Sequence, residues 1–174
     1  LEELRFGLQF TVPDKGRHDA LCGDVLQALR LNPEDDPMML SRGERQRVAM
    51  ATAMVHQPEV LILDEPTTGL DYRECSSIME YIRGLNKRGT TVAMVCHDME
   101  VVLDYAQQVL VMSAGRLTAA GDTLSVFHRQ DVLAGASLLP PQMVDLGMRL
   151  GGVFEDITTV RGMAETIAAS GVCL

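Results

Sequence analysis

The sequence has few cysteines, and no two of them form a Cys-x-x-Cys pair. The four cysteines among the 174 residues, which lie far apart, are Cys22, Cys75, Cys96 and Cys173. A chain of this length can bury a core without a disulfide scaffold. The spacing therefore excludes the disulfide-rich class of proteins, and we expect reduced cytosolic thiols that pack as small apolar groups.

Long hydrophobic runs and blocks of like charge are also missing. No apolar run approaches the roughly 18 residues that span a bilayer, and no charged segment followed by a hydrophobic stretch marks an export signal. Lysine and arginine number 15 against 24 aspartates and glutamates, a net charge of −9. Because no basic block could attract a phosphate backbone, we expect no nucleic-acid partner.

What the sequence does contain is enough apolar material, 47% of its residues, for one compact domain or the larger part of one. The strongest helix signal is Ser41-x-x-Glu44, the spacing at which each side chain satisfies the other residue's backbone N–H. Residues 48–55 are apolar almost all round, so this helix should be largely enclosed until Pro58 ends it. Other helices are predicted over 1–8, 19–31, 75–88 and 124–129, and from the stripes Met143, Leu146, Leu150 and Val160, Met163, Ile167.

Three short apolar runs predict strands, over 60–63, 90–95 and 109–112, with a short return strand near 117–120 after a turn at 113–116. The first two are continuous runs, which is typical of parallel strands buried on both faces. Strands alternating with helices indicate an α/β fold, whose ligand site lies at the carboxyl ends of the strands.

Polar residues follow two of these strands at the point where each ends. Asp64 and Glu65 come directly after the first strand, an arrangement in which one carboxylate holds Mg²⁺ through water and the next orients or deprotonates a nucleophilic water. His97 follows the second strand, where its imidazole could reach the same phosphate. The helix that begins after Ser41 offers an anion site at its N-terminus, with Gly43 keeping the backbone accessible. The alternatives are a solvated strand end and a plain capped helix.

The order and spacing of three segments resemble one family. These segments are residues 40–49 (LSRGERQRVA), residues 61–71 (LILDEPTTGLD) and His97-Asp98. They are similar to the signature, Walker B, D-loop and switch histidine of ATP-binding cassette (ABC) ATPases. The flanks, residues 1–8 and 139–144, resemble those of the cobalt and energy-coupling-factor importer ATPases.

The resemblance implies an incomplete P-loop NTPase (RecA-like) core with parallel strands. Residues 1–57 would be a helical signature subdomain, 58–130 the C-terminal half of the ATPase core, and 131–174 a C-terminal helical appendage. It also implies an ATPase that uses ATP and Mg²⁺ at the cytoplasmic face of the cell membrane. Its partners would be a second cassette, identical or different, and an integral membrane subunit of a vitamin or metal-ion importer.

The resemblance also implies roles for individual residues. Asp64 would serve Mg²⁺, Glu65 would be the general base and His97 would sense the γ-phosphate. Ser41, Gly43 and Glu44 would contact ATP held by the opposite subunit, and Asp71 would be the D-loop contact across the dimer.

Two departures qualify this resemblance. Arg42 and Glu44 replace a glycine and a glutamine of the usual signature, and we expect Glu44 to turn back and cap Ser41. No G-x-x-x-x-G-K-[ST] motif occurs in the sequence, so nothing in it cradles the β- and γ-phosphates. We therefore expect the P-loop half to lie upstream of this chain, and the chain alone to be inactive. The alternatives are a hydrolysis-incompetent regulatory half-cassette that dimerises and donates the signature, and a soluble ABC ATPase without a transport role.

Overall fold

The computed structural model describes residues 2–12, 14–36 and 38–170. The chain divides into two compact units, residues 1–95 and 96–174. Leu1, at the start of the first predicted helix and of the importer-like flank, and Cys173 lie outside the described residues. The threefold division of the sequence given above remains a prediction.

The described residues of the first unit form four α-helices, a short 3-10 helix (Lys15–Arg17) and a pair of parallel strands. The helices are α1 (Glu2–Thr11), α2 (His18–Ala28), α3 (Arg42–Met54) and α4 (Tyr72–Lys87), and the strands are β1 (Val60–Asp64) and β2 (Thr91–Val95). Helix α2 ends three residues before the predicted Leu31, because Arg30 takes a left-handed backbone conformation with φ of +51°. Helix α4 ends where predicted, ahead of Gly89, whose φ is +104°.

Strands β1 and β2 pair in parallel, and α4 connects them along the chain. Their register aligns Val60 with Thr91 and Asp64 with Val95. One face of the pair carries buried side chains, Leu61 and Leu63 of β1, and α4 contacts β2. This order of strand, helix and parallel strand confirms the α/β fold class.

Both strands were expected to be buried on both faces, and this expectation was wrong. Val60 and Ile62 are 58% and 74% exposed, and Val95, on the same face, is 59% exposed. A continuous apolar run indicates that both faces of a strand are apolar, but each face is buried only if other elements pack on it. Among the described residues only one side of this pair is covered.

Helix α3 was expected to be enclosed, and it is buried along one side only. Met50, Ala51, Met54 and Val55 are buried, whereas Ala49 and Ala53 are exposed. The exposed positions are alanines, which fit a solvent-facing helix surface as readily as an interior one. The helix therefore packs through the usual stripe of a surface helix.

The second unit begins with α5 (Met99–Tyr105) and an antiparallel hairpin of β3 (Gln108–Ser113) and β4 (Arg116–Asp122). Ala114 and Gly115 form the turn, and both have positive φ, as two-residue hairpin turns of the favoured hand require. Four helices follow: α6 (Thr123–Phe127), α7 (Gln130–Gly135), α8 (Gln142–Leu150) and α9 (Val160–Ser170). The third predicted strand is thus paired with the return strand, in a sheet separate from β1 and β2.

The core of the second unit is built around Phe127, which is 1% exposed, with Val102, Leu133 and Val144. The predicted apolar stripe of α8 is not the buried face. Leu146 and Leu150 are 41% and 52% exposed, while Val144 and Gly147 are buried.

The buried face of α8 is set by the chain that returns over it. A Cβ at position 147 would lie 2.4 Å from the backbone oxygen of Phe154, so this close approach requires glycine. In α9, Met163 is buried as predicted but Val160 is 74% exposed. None of the helices in the described ranges is long and apolar enough to cross a bilayer.

Candidate functional site

The acidic pair lies at the carboxyl end of the parallel strands, where the sequence predicted it. Asp64 is the last residue of β1 and its side chain is exposed, whereas Glu65 is half-buried. The N–H of Glu65 donates to the carbonyl of Val95 at 2.9 Å, which extends the parallel pairing one residue beyond the strand. Two adjacent carboxylates are thereby held at the strand end.

Glu65 has an unusual backbone, with φ of +48°. A non-glycine residue in this region is strained, and such residues persist only where surrounding contacts hold them. The Glu65 carbonyl accepts hydrogen bonds from the N–H of Thr68 at 3.3 Å and from Nε2 of Gln46, on α3, at 3.4 Å. Its Oε2 accepts from the hydroxyl of Thr68 at 3.3 Å. Both the backbone and the carboxylate of Glu65 therefore have partners that fix them.

The N-terminus of α3 is closed by the predicted capping box. The N–H of Glu44 donates to the Ser41 hydroxyl at 3.3 Å, and the N–H of Ser41 donates to Glu44 Oε2 at 2.8 Å. Hydrogen bonds from the Ser41 side chain and backbone hold the pKa of the Glu44 carboxyl below its ordinary value. The expectation that Glu44 turns back on Ser41 is confirmed.

The first turn of α3 is open to ligands. Arg42 and Gly43 are exposed, and a Cβ at Gly43 would meet nothing within 4 Å. Exposed N–H groups at the positive end of the helix dipole favour an anion. The backbone of this turn is therefore accessible next to Ser41, and an anion site there remains a prediction.

The N-terminus of α4 has a second capping box that the sequence analysis missed. The N–H of Glu74 donates to Asp71 Oδ1 at 2.8 Å, and the N–H of Asp71 donates to Glu74 Oε2 at 3.2 Å. The signal was present, because Asp-x-x-Glu has the same spacing as Ser-x-x-Glu. Asp71 is therefore the N-cap of α4 in this structure. Its contact across a dimer interface remains a prediction.

Arg47 of α3 contacts the N-terminal turn of α4, which no local sequence pattern indicates. Its guanidinium forms an ion pair with Oε1 of Glu74, 27 positions away in the chain. The two side chains are only 12% and 24% exposed, so the pair is largely shielded from water. Removing one partner of a shielded pair costs more than breaking an exposed pair, because the remaining charge is left away from water.

His97 is the second residue after the end of β2 and belongs to the second unit. Its side chain is exposed, and Asp98 next to it caps α5 by accepting from the N–H groups of Glu100 and Val101. The shared pocket of His97 with Asp64 and Glu65 remains a prediction.

Two of the other histidines lie against backbone carbonyls, and Cys22 is buried. His18 is 7% exposed, with Nε2 2.8 Å from the carbonyl of Val12, and His128 Nε2 lies 3.2 Å from the carbonyl of Glu155. Burial raises the pKa of the Cys22 thiol, which disfavours the reactive thiolate. Within the described ranges no three His, Cys, Asp or Glu side chains are grouped so that they could hold a metal ion.

Comparison with known sequences finds one family. Residues 5–68 match the sequence profile described as ABC transporter. A protein of Caldanaerobacter subterraneus subsp. tengcongensis that is named as an ABC transporter ATP-binding protein is 46% identical over 155 residues, 88% of this chain and 27% of that protein. The energy-coupling factor transporter ATP-binding protein EcfA of Methanothermobacter thermautotrophicus is 40% identical over 114 residues, 66% of this chain and 37% of that protein. The chain thus spans between a quarter and two fifths of the length of these relatives.

Solved structures of the same kind share the fold. An ATP-binding subunit of an ABC transporter superposes with a TM-score of 0.67 over 77% of this chain and 56% of its own, at 24% identity. The cbiO1 protein of Clostridium perfringens, part of the transporter complex cbiONQ, has a TM-score of 0.58 and 29% identity over 84% of this chain and 59% of its own. A dimeric post-hydrolysis state of the ATP-binding cassette MJ0796, bound to ADP and Pi, has a TM-score of 0.56 and 26% identity over 63% and 49%.

Proposed function

Because this chain belongs to the ABC transporter ATPase family, we propose that it supplies the acidic strand end and the signature helix of an ATP-hydrolysing subunit that energises a membrane importer. The observation that carries the proposal is the hydrogen bond from Gln46 of α3 to the carbonyl of Glu65. It joins the helix with the signature-like N-terminus to the residue that would activate water. The relative named as an energy-coupling factor transporter ATP-binding protein supports a transporter of that kind. The resemblance of the flanking segments adds the proposal that it is an importer of a vitamin or a metal ion.

In this proposal the acidic pair divides two tasks. Asp64, exposed at the strand end, would hold Mg²⁺, which would supply positive charge to neutralise the phosphates. Mg²⁺ is commonly bound by one or two carboxylates together with water and substrate phosphates, so a single carboxylate such as Asp64 suits it. Glu65 accepts a proton from the water that attacks the γ-phosphate, and ADP and inorganic phosphate leave.

The strained backbone of Glu65 supports its role as the general base. Its carbonyl and its carboxylate are both held by hydrogen bonds, so the carboxylate is oriented before the substrate arrives. His97 senses the γ-phosphate in this proposal.

The two capped helix ends act on the nucleotide of a second cassette. The exposed N-terminal turn of α3 presents Ser41 and Gly43 to the γ-phosphate held by that cassette, and Asp71 makes the D-loop contact. Glu44 keeps Ser41 in position through the capping box, and its own contact with nucleotide remains a prediction. The dimeric cassette bound to ADP and Pi supports this arrangement by likeness.

Membership of a transporter family also implies a membrane-embedded partner. A net charge of −9 suits docking onto basic loops of an integral membrane subunit, at the cytoplasmic face of the cell membrane. The 174 residues contain no G-x-x-x-x-G-K-[ST]. In this proposal other residues supply the phosphate cradle, and the isolated chain is expected not to hydrolyse ATP.

The test is ATP turnover by the protein as its gene encodes it, with Glu65→Gln as the probe. We expect kcat to fall about 10²-fold or more, the usual scale for a positioned general base, while nucleotide affinity is retained. Glu59→Gln, an exposed glutamate just before β1, is the matched control and should leave kcat unchanged.

Two results would count against the proposal. A wild-type protein that binds ATP without hydrolysing it would favour the regulatory half-cassette instead. Unchanged turnover in Glu65→Gln would remove Glu65 from the mechanism. Purifying the tagged protein from native membranes tests the transport role, since an importer ATPase should retain an integral membrane protein.

A further inference from the structure

The two helix ends assigned to the partner's nucleotide are built in the same way. Ser41 and Glu44 close α3, and Asp71 and Glu74 close α4, each through a reciprocal pair of hydrogen bonds. In both boxes the glutamate at the third helical position binds the backbone N–H of the capping residue. A contact that holds the side chain of either glutamate in place therefore also holds the capping residue of that helix in place.

One guanidinium binds Glu74 and acts electrostatically on Glu44. Arg47 lies three residues after Glu44 on α3, and its positive charge adds to the Ser41 hydrogen bonds in lowering the pKa of Glu44. Its NH1 group also forms the ion pair with Oε1 of Glu74, across to α4. Arg47 therefore stands between two segments that are separated by β1 in the sequence.

Both carboxylate oxygens of Glu74 have a partner, so the same side chain takes part in the ion pair and in the cap of α4. Oε2 accepts the N–H of Asp71 at 3.2 Å, and Oε1 is taken by Arg47. A movement of the Arg47 side chain would therefore displace Glu74 and disturb its hydrogen bond to the N–H of Asp71. The Arg83–Glu80 pair on α4 provides a contrast, because its side chains are 49% and 55% exposed and it connects only residues of one helix.

We propose that Arg47 is a positioning residue that sets the distance between the N-termini of α3 and α4, so that Ser41, Gly43 and Asp71 reach the opposite nucleotide together. This inference rests on the proposed function, because the helix ends matter for turnover only if they face a nucleotide. Arg47 itself touches no substrate in this scheme. A misplacement of ~1 Å at a reacting centre can cost ~10²-fold in rate, so the effect of losing the link should be measurable.

The experiment compares four variants in the protein as its gene encodes it. Arg47→Gln removes the charge, and Glu74→Gln keeps an acceptor for the Asp71 N–H while removing the ion pair. Arg47→Lys keeps the positive charge, and because the ion pair uses the single NH1 group, a lysine can replace it. Arg83→Gln is the control, since it makes the same substitution in an exposed Arg–Glu pair that links residues of one helix only.

We expect kcat to fall about tenfold or more in Arg47→Gln and Glu74→Gln, with KM for ATP changed less than about threefold. Arg47→Lys should recover most of the lost kcat, and Arg83→Gln should match the wild type. A purely structural role would instead lower the melting temperature and the folded yield while leaving kcat per folded molecule unchanged. That result, or an Arg47→Gln kcat equal to that of Arg83→Gln, would overturn the inference while leaving the proposed function standing. A wild-type protein without ATP turnover would overturn both.

Discussion

Replacing Glu65 with glycine should stabilise the protein and inactivate it at the same time. Glu65 has φ of +48°, a conformation that costs a non-glycine residue about 1–3 kcal/mol. Glycine adopts this conformation without a steric penalty. The general base is lost in the same substitution, so activity and stability are expected to move in opposite directions.

Two effects offset part of the gain. Glycine has greater freedom in the unfolded chain, which costs about 0.5–1 kcal/mol. The hydrogen bond from the Thr68 hydroxyl to Glu65 Oε2, 3.3 Å long and exposed, is also lost, at about 0.5 kcal/mol. Taken at the middle of these ranges, the net stabilisation should be about 0.5–1 kcal/mol. This corresponds to roughly 1–4 °C in melting temperature for a chain of this size.

The assay is thermal unfolding of Glu65→Gly beside Glu65→Gln, with ATP turnover measured on the same preparations. Glu65→Gln keeps the left-handed strain and an acceptor for Thr68, so it should melt within about 1 °C of the wild type. Thr68→Val, which removes the hydroxyl alone, measures the hydrogen bond separately. If Glu65→Gly melts below Glu65→Gln, the strain at this position does not destabilise the fold and the reasoning fails.

Three further predictions concern the helix ends and one close approach. Asp71→Ala should lower the free energy of unfolding more than Ser41→Ala does, with both losses within about 0.5–2 kcal/mol. The reason is that the hydrogen bond to the Asp71 carboxylate is 2.8 Å long, whereas the bond to the Ser41 hydroxyl is 3.3 Å long. Equal losses in urea unfolding would contradict this. The folded-state pKa of Glu44 is lowered, so its charge stabilises the protein above its unfolded pKa, and this contribution is lost as pH falls through the folded pKa. The stability difference between wild type and Glu44→Gln should therefore shrink in acid, and a difference that is constant with pH would refute the assignment. Gly147→Ala should destabilise the second unit by about 1–3 kcal/mol, since its Cβ would meet the Phe154 oxygen; Gly135→Ala, with nothing within 4 Å, is the control and should change little.

Local rules predicted the helix ends and the strands well. The Ser41-x-x-Glu44 box, the strand before Asp64 and the stop at Gly89 each depend on residues within one or two turns of each other. The box at Asp71 and Glu74 was readable by the same rule and was overlooked. The location of the acidic pair at the strand end followed from the apolar run that precedes it.

Non-local features could not be read in the same way. Which faces of β1 are buried depends on the layers that pack on it, and Ile62, at 74% exposure, is as apolar as its buried neighbours. The buried face of α8 depends on the chain returning at Phe154, and the Arg47–Glu74 pair joins positions 27 apart. The positive φ of Glu65 also has no sequence signal, because only surrounding hydrogen bonds hold a glutamate there.

The uncovered side of the β1–β2 pair has a consequence for handling the polypeptide in solution. Val60, Ile62 and Val95 form a water-facing apolar stripe on a sheet of only two strands, which invites self-association. The net charge of −9 opposes this by keeping molecules apart. Added salt screens that repulsion, and sulfate or phosphate salts also strengthen the attraction between apolar stripes. The colloidal stability of the isolated 174 residues should therefore decline as the concentration of such a salt rises.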